Sequence, residues 1–271
     1  MSVVRAEPVS PGIIEAYRGT FASVEPARDL GAEVPPGWEG VLFPFAVPLA
    51  DLRPDGTPAR DRVVPEIDLP RRMYAGETTT FLRPLRVGED VVQTTSLGEV
   101  VEKEGSRGRL VFVDIAREYS VAGEPAIRSV WHDVFLGAGD PDAPPKTPRR
   151  DPEAAAGEWS EEVAVDARQL FRFSALTFNT HLVHYDRAWA REVEGLPDLL
   201  VHGPLTRVLM MDAARRHVVG RDALRLEMRA IAPVLVDQAV TFVGRTAGDR
   251  TRVTAVDSSD GVLATADITW A

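Results

Sequence analysis

Cysteine is absent from the 271-residue chain, and with it go disulfide frameworks, zinc knuckles and thiol nucleophiles. Nothing in the sequence therefore calls for an oxidising compartment. Basic residues are in the minority, since 31 Lys and Arg against 41 Asp and Glu leave a net charge of −10. That balance argues against nucleic acid or an anionic membrane as a general partner, although a few local arginines can still dominate one pocket. No apolar run approaches the ~20 residues of a membrane span, and the N-terminus MSVVRAEPVSPGII lacks the apolar core of a secretory leader. A cytoplasmic location is the expectation. Also missing are G-x-x-x-x-G-K-[ST], G-x-S-x-G, H-E-x-x-H and a G-x-G-x-x-G after a strand. Nucleotide hydrolysis, serine-hydrolase chemistry, zincin proteolysis and dinucleotide redox chemistry lose their usual supports.

What is present reads as an ordinary globular chain, 44% hydrophobic and 27% charged, long enough for one large core or two of about 130 residues each. Ser10 followed by Pro11 marks a helix start, and the helix runs to Phe21. Pro- and Gly-rich loops (PPGWEG, RPDGTP) follow. From residue 78 the β-branched and aromatic stretches TTTFLRPLRVGEDVVQTTSLGEVVEKEG, RLVFVDIAREYSV and PAIRSVWHDVFLG predict three long antiparallel strands. Residues 137–158 are rich in Pro, Ala and charge and read as a linker over the surface. In the second half, Pro204 and Gly220 bracket a helix that is apolar on most sides, with Arg215, Arg216 and His217 in its last turn. Three strand candidates follow it: RLEMRAIAPVLVDQAVTFVGRT, TRVTAVDS and GVLATADITWA.

The two halves share a pattern. Pro84 to Val91 and Pro233 to Val240 both read P-[LV]-x-V-x-x-x-V, and two further strands follow each. A proline that interrupts the ladder, then a long strand, in both halves suggests two copies of one unit. A buried helix followed by long antiparallel strands predicts an α+β hotdog fold, here doubled, with the second central helix better preserved. The expected organisation is an N-terminal hotdog over residues 1–136, the linker over 137–158 and a C-terminal hotdog over 159–271.

The chemistry concentrates in FRFSALTFNTHLVHYDRAWA, residues 171–190, and three readings of it compete. His184-Tyr185-Asp186 is an H-x-D that His202 or His217 could complete as an iron triad, although such sites normally sit on a β-sandwich. Polar groups on a loop or a hydrogen-bonded core histidine would need no function at all. The third reading is acid/base work on an acyl thioester. His184 takes a proton and returns it; Asn179 holds the water; Gly203, opening the buried helix, offers a backbone N–H to an oxyanion. Glycine there lets a ligand approach closely.

Asn179-Thr180-His181-Leu182-Val183-His184-Tyr185-Asp186-Arg187-Ala188-Trp189-Ala190 resembles the hydratase motif of MaoC-like enoyl-CoA hydratases, with its H-x-D-x-x-x-A half intact, and Val201-His202-Gly203 matches the start of their central helix. PEIDLPRRMYAGETTTFLRPLRVGEDV and EKEG…GRLVFVDIAREYS resemble the FAS1-like dehydratase domain of mesaconyl-C4-CoA hydratases and mitochondrial hydroxyacyl-thioester dehydratases type 2. The resemblance implies a hydro-lyase that adds water reversibly across C2–C3 of an enoyl-CoA, of the branched dicarboxylic kind. It equally accommodates a hydroxyacyl-ACP or hydroxyacyl-CoA dehydratase and, outside catalysis, a hotdog that only binds acyl thioesters. The wider motif has an aspartate where this chain has Asn179 and an asparagine where it has His181, so His184 is the expected acid/base. The substrate-binding candidates are His181, Asp186, His202, Arg71, Arg72 and Tyr74, with Asp186 also read as a cap and the arginine pair as a site for a CoA phosphate or a free acyl carboxylate. No metal or redox cofactor is expected beyond the CoA thioester itself. A homodimer is compatible, though a doubled hotdog already forms the pseudo-dimer.

Overall fold

Ser10 accepts a hydrogen bond from the Ile13 amide (3.4 Å) and Pro11 begins helix α1 (Pro11–Phe21), as its cap predicts. The computed structural model describes residues 2–21, 29–58, 63–105, 108–140, 142 and 147–271. Its strands are β1 (Ser2–Pro8), β2 (Arg71–Phe81), β3 (Asp90–Gly105), β4 (Gly108–Val121), β5 (Glu124–Leu136), β6 (Trp159–Val163), β7 (Ala223–Ala230), β8 (Val240–Ala247), β9 (Arg250–Val256) and β10 (Val262–Trp270). The remaining helices are α2 (Ala167–Thr177), α3 (Arg187–Glu192) and α4 (Gly203–His217). All ten strands form one antiparallel sheet in the order β1-β3-β4-β5-β2-β7-β10-β9-β8-β6.

That order is one pattern used twice. From the outer edge inward, the first half runs 1-3-4-5-2 and the second 6-8-9-10-7, and the two copies meet where β2 pairs with β7 from Gly76↔Arg229 to Thr80↔Arg225. The proline motifs sit at equivalent places, between β2 and β3 and between β7 and β8, and Gly88 and Asp237 both turn the chain in the left-handed region (φ 89° and 58°). This is a double hotdog. The prolines also explain a correction: each half has four consecutive strands, not three, because Pro84 and Pro233 cannot donate to a ladder and split the first predicted strand of each half. The short edge strands β1 and β6 were not anticipated.

Helix α4 is buried on almost every side. Strands cover part of it, and residues 37–40 of the first half pack on it as well. Trp38 donates from Nε1 to Asp212 (2.9 Å), and Arg207 reaches Glu39 (2.5 Å) and the Thr79 hydroxyl (2.6 Å). Between β1 and β2 the first half carries α1 and two 3-10 turns (Trp38–Val41 and Leu49–Asp51), with no counterpart of α4 among the described residues. The segment leading into β6 lies along the second half, where Val262 donates to the Arg149 carbonyl (3.0 Å) and Ala154 and Ala155 cover Val243, Val256 and Val262.

Candidate active site

Helix α2 owes its start to a capping box: the Asp166 carboxylate accepts from the Arg168 and Gln169 amides, and Gln169 returns a bond to the Asp166 amide. It ends at Phe178 in the left-handed region (φ 53°), and this reversal starts the turn that carries residues 179–184 along the cavity wall. There the chain is gripped from the first half. Thr180 donates from Oγ1 to the Gly56 carbonyl (2.7 Å), and the Leu182 amide donates to the Asp55 carbonyl (2.8 Å). Gly56 has φ +82°, and a Cβ there would lie 1.9 Å from the Thr180 carbonyl oxygen, so only glycine fits. Asn179 folds its Oδ1 back onto the His181 amide (3.1 Å), which leaves its Nδ2–H groups as the usable donors.

Three histidines converge behind this turn. His184 stacks on His202 (centroids 3.6 Å apart, planes 20° apart), and His181 meets His184 edge-on at 5.4 Å. All three are buried. Burial, with the neighbouring Arg72, Arg53 and Arg71 charges, depresses His181 to about 3. Burial and the adjacent His181 depress His184 to about 3, against a smaller opposing pull from the Leu200 carbonyl, and His202 is pushed well below its ordinary value by burial and both neighbours. The cluster is neutral at pH 7. His184 hydrogen bonds through Nδ1 to the Leu200 carbonyl (2.8 Å); a carbonyl only accepts, so Nδ1 carries the proton and Nε2 the lone pair. His202 binds the Ser174 hydroxyl through Nε2 (2.8 Å), while its Nδ1 and the Nε2 of His181 have no partner among the described residues.

Between about pH 3 and 6.5 the unfolded chain binds protons on His181 and His184 that the native protein does not, and His202 is shifted in the same direction. Their contribution to stability is therefore complete above pH 6.5 and is lost on acidification, at up to about 1.4 kcal/mol per pH unit for each group. Thermal unfolding at pH 7, 6 and 5 should show a falling Tm, with a shallower fall in His181→Gln. An identical slope in that variant would assign the acid sensitivity to other groups.

His181 and His184 line a cavity of about 1250 Å³ that both halves enclose, together with Asn179, Thr180, Gly203, Tyr74, Arg71 and Arg72, and His202 stands behind them. The first intrahelical bond of α4 runs from the Thr206 amide to the His202 carbonyl (3.0 Å). The Gly203 amide precedes it and has no partner within the helix. Against Gly203 lies the Tyr74 ring: a Cβ at 203 would sit 2.2 Å from Tyr74 Cδ1. The missing side chain thus makes room for a tyrosine, where the sequence suggested room for a ligand. The Tyr74 hydroxyl is buried without a partner among the described residues, and burial, with Glu77 nearby, raises its pKa well above the ordinary value.

The structure brings His181, His184, Asn179, Gly203 and Tyr74 to one wall, sets His202 behind it, fully buried and out of reach of a ligand in the cavity, and corrects three other assignments. Asp186 does not line the cavity; its Oδ1 caps α3 by accepting from the Trp189 amide (2.9 Å). Arg71 pairs with buried Glu194, and Arg72 pairs with buried Asp133 (2.6 Å), so neither arginine is an open anion receptor. His217 is far from the H-x-D in function, stacked on Trp159 and bonded to Glu161. Sequence reasoning missed Phe45, Trp131 and Arg117, cavity residues of the first half. Their only sequence signal was the alternation that turns Arg117 and Trp131 to a shared face.

The model of the family Hydroxyacyl-thioester dehydratase type 2 matches residues 37–236. Over 232 residues the chain is 36% identical to the mesaconyl-C(4)-CoA hydratase of Chloroflexus aurantiacus, covering 84% of this chain and 82% of that one. The mitochondrial hydroxyacyl-thioester dehydratase type 2 of Schizosaccharomyces pombe is 22% identical over 228 residues, 75% of each chain. Among solved structures, HtdX of Mycobacterium tuberculosis superposes over the whole of both chains with a TM-score of 0.71 at 18% identity. A double-hotdog protein of the same organism, 14% identical, gives 0.63 over all of this chain and 95% of that one. With its doubled hotdog and the neutral histidine cluster at the head of α4, the chain belongs to the hydroxyacyl-thioester dehydratase type 2 family of hydro-lyases.

Proposed function

We propose that the protein hydrates the C2–C3 double bond of a branched dicarboxylic enoyl-CoA of the mesaconyl-C4 type, reversibly, with His184 as the single acid/base. The observation that carries this is the His184–Leu200 hydrogen bond, which fixes the tautomer whose Nε2 lone pair accepts a proton. The thioester oxygen lies against the Gly203 amide at the positive end of α4, where enolate charge is stabilised. Water, held through a lone pair by the Asn179 Nδ2–H, attacks C3 while His184 Nε2 removes its proton. The imidazolium then delivers that proton to C2, and the enolate collapses to the 3-hydroxyacyl thioester. In this reading the second unit (159–271) supplies the chemistry and the first (1–136) the acyl-pocket wall.

Electrostatics support one concerted site. The depression of His184 from 6.5 to about 3 makes its imidazolium about 5 kcal/mol harder to form than in water. The cation is accessible only when an enolate forms beside it, so both charges arise together. His202 and His181, held neutral, add no like charge to repel it.

Following the enoyl-thioester absorbance with mesaconyl-C4-CoA and crotonyl-CoA tests the reading. Turnover of the dicarboxylic thioester is expected, with the reverse reaction visible from the hydroxyacyl product. Thioester binding with no turnover of either would leave a binding protein and overturn the proposal.

A further inference from the structure

Three arginines line the cavity: Arg71, Arg72 and Arg117. The first two are held by Glu194 and Asp133. Arg117, on β4, is different. Its cross-strand neighbours are Thr95 and Ser129, which carry no charge, and among the described residues it makes no ion pair. Its guanidinium instead lies over Trp131 (4.5 Å to the ring centroid) and near Phe45 (5.9 Å). Stacking uses the face of a guanidinium and leaves its in-plane N–H donors unspent.

The rings that hold Arg117 are themselves tied to the catalytic wall. Trp131 is fixed by its Nε1–H to Asp133 (2.7 Å) and meets Tyr74 edge-on at 4.8 Å, and Tyr74 packs on Gly203. On the other side the Phe45 amide donates to the Thr177 carbonyl (2.9 Å), two residues before Asn179. The groups placed at the guanidinium are thus two apolar rings of the cavity wall, Trp131 and Phe45. An apolar acyl chain entering here strips water from the cation and returns no partner, whereas a carboxylate returns a bidentate one. Such a site discriminates by penalising the wrong ligand as well as by binding the right one.

We infer that Arg117 is the specificity-determining residue that receives the second carboxylate of a dicarboxylic acyl-CoA, an inference that rests on the hydratase reading above. The test compares kcat/KM for mesaconyl-C4-CoA and crotonyl-CoA in the wild type, Arg117→Gln and Arg117→Lys. The dicarboxylic-to-monocarboxylic ratio should fall on the order of 100-fold in Arg117→Gln and recover in part in Arg117→Lys, which restores charge without the fork. Calorimetric binding of the unreactive pair methylsuccinyl-CoA and butyryl-CoA gives a second readout that does not depend on turnover, and the same ratio should shift there. An equal loss for both thioesters would place Arg117 on the shared CoA moiety and overturn the inference, as would an unchanged ratio. A wild type that hydrates neither thioester defeats the hydratase reading, and the binding ratio then judges Arg117 separately. A wild type that favours crotonyl-CoA defeats the dicarboxylic assignment and Arg117's role together.

Discussion

His184→Gln should lower kcat/KM for hydration by about 10²- to 10⁴-fold, the usual contribution of a positioned acid/base. Glutamine can still donate to the Leu200 carbonyl that His184 holds at 2.8 Å, but its amide offers no lone pair basic enough to take a proton from water. The loss should fall on kcat, because the thioester contacts at the head of α4 survive. The wild-type profile carries a second signature. His184 is neutral until about pH 3, so the active basic form persists on acidification, and kcat/KM should show no acid limb near 6.5. A histidine of ordinary basicity would halve the activity there. Activity within tenfold of wild type in His184→Gln, or an acid limb centred near 6.5, sinks the assignment of this residue as the base.

The largest effect on stability is expected at Arg207. Its side chain is 1% exposed and lies between two buried carboxylates, Glu39 at 2.5 Å and Glu77 at 3.6 Å, while also donating to the Thr79 hydroxyl. Burial alone would make the guanidinium easier to deprotonate, but the two glutamates reverse that and hold it firmly charged. Arg207→Met keeps much of the volume and leaves both acids without their cation. Breaking a buried pair from one side costs about 3–5 kcal/mol, a large share of the ~5–15 kcal/mol that holds a typical domain together. Urea denaturation should show this as a lower midpoint. Combining Arg207→Met with Glu39→Gln and Glu77→Gln should recover much of it, since the penalty belongs to the stranded charges and not to the missing arginine. A triple variant no more stable than the single one would refute that account.

The parts of this molecule written in local sequence were legible, and those made by distant contacts were not. Pro204 announced the start of α4, the repeated proline motif announced the doubling, and the H-x-D segment pointed to the wall where His184 stands. Edge strands β1 and β6 escaped because each pairs on one side only and carries a short, weakly apolar sequence. Asp166 with Gln169 is a capping box written in local sequence that starts α2. Asp186 allowed two readings, substrate contact and cap, and the open amides of α3 take it as the cap. Arg71 and Arg72 looked free because their partners, Glu194 and Asp133, lie 123 and 61 residues away. Arg117 looked ordinary for the same reason: only the fold reveals that it makes no ion pair among the described residues.

The seam between β2 and β7 has one further consequence. Two identical subunits meeting at such a seam would be bound by symmetry, every substitution appearing twice and each pocket wall copied on the other side. Joining the units in one chain lifts that constraint, and the two sides have diverged: one keeps α4 and the histidines, the other offers open space lined by Phe45, Trp131 and Arg117. Residues of the first unit can therefore change the shape of the pocket while the histidine wall stays as it is. A new substrate range is reachable by drift on one side of the seam alone.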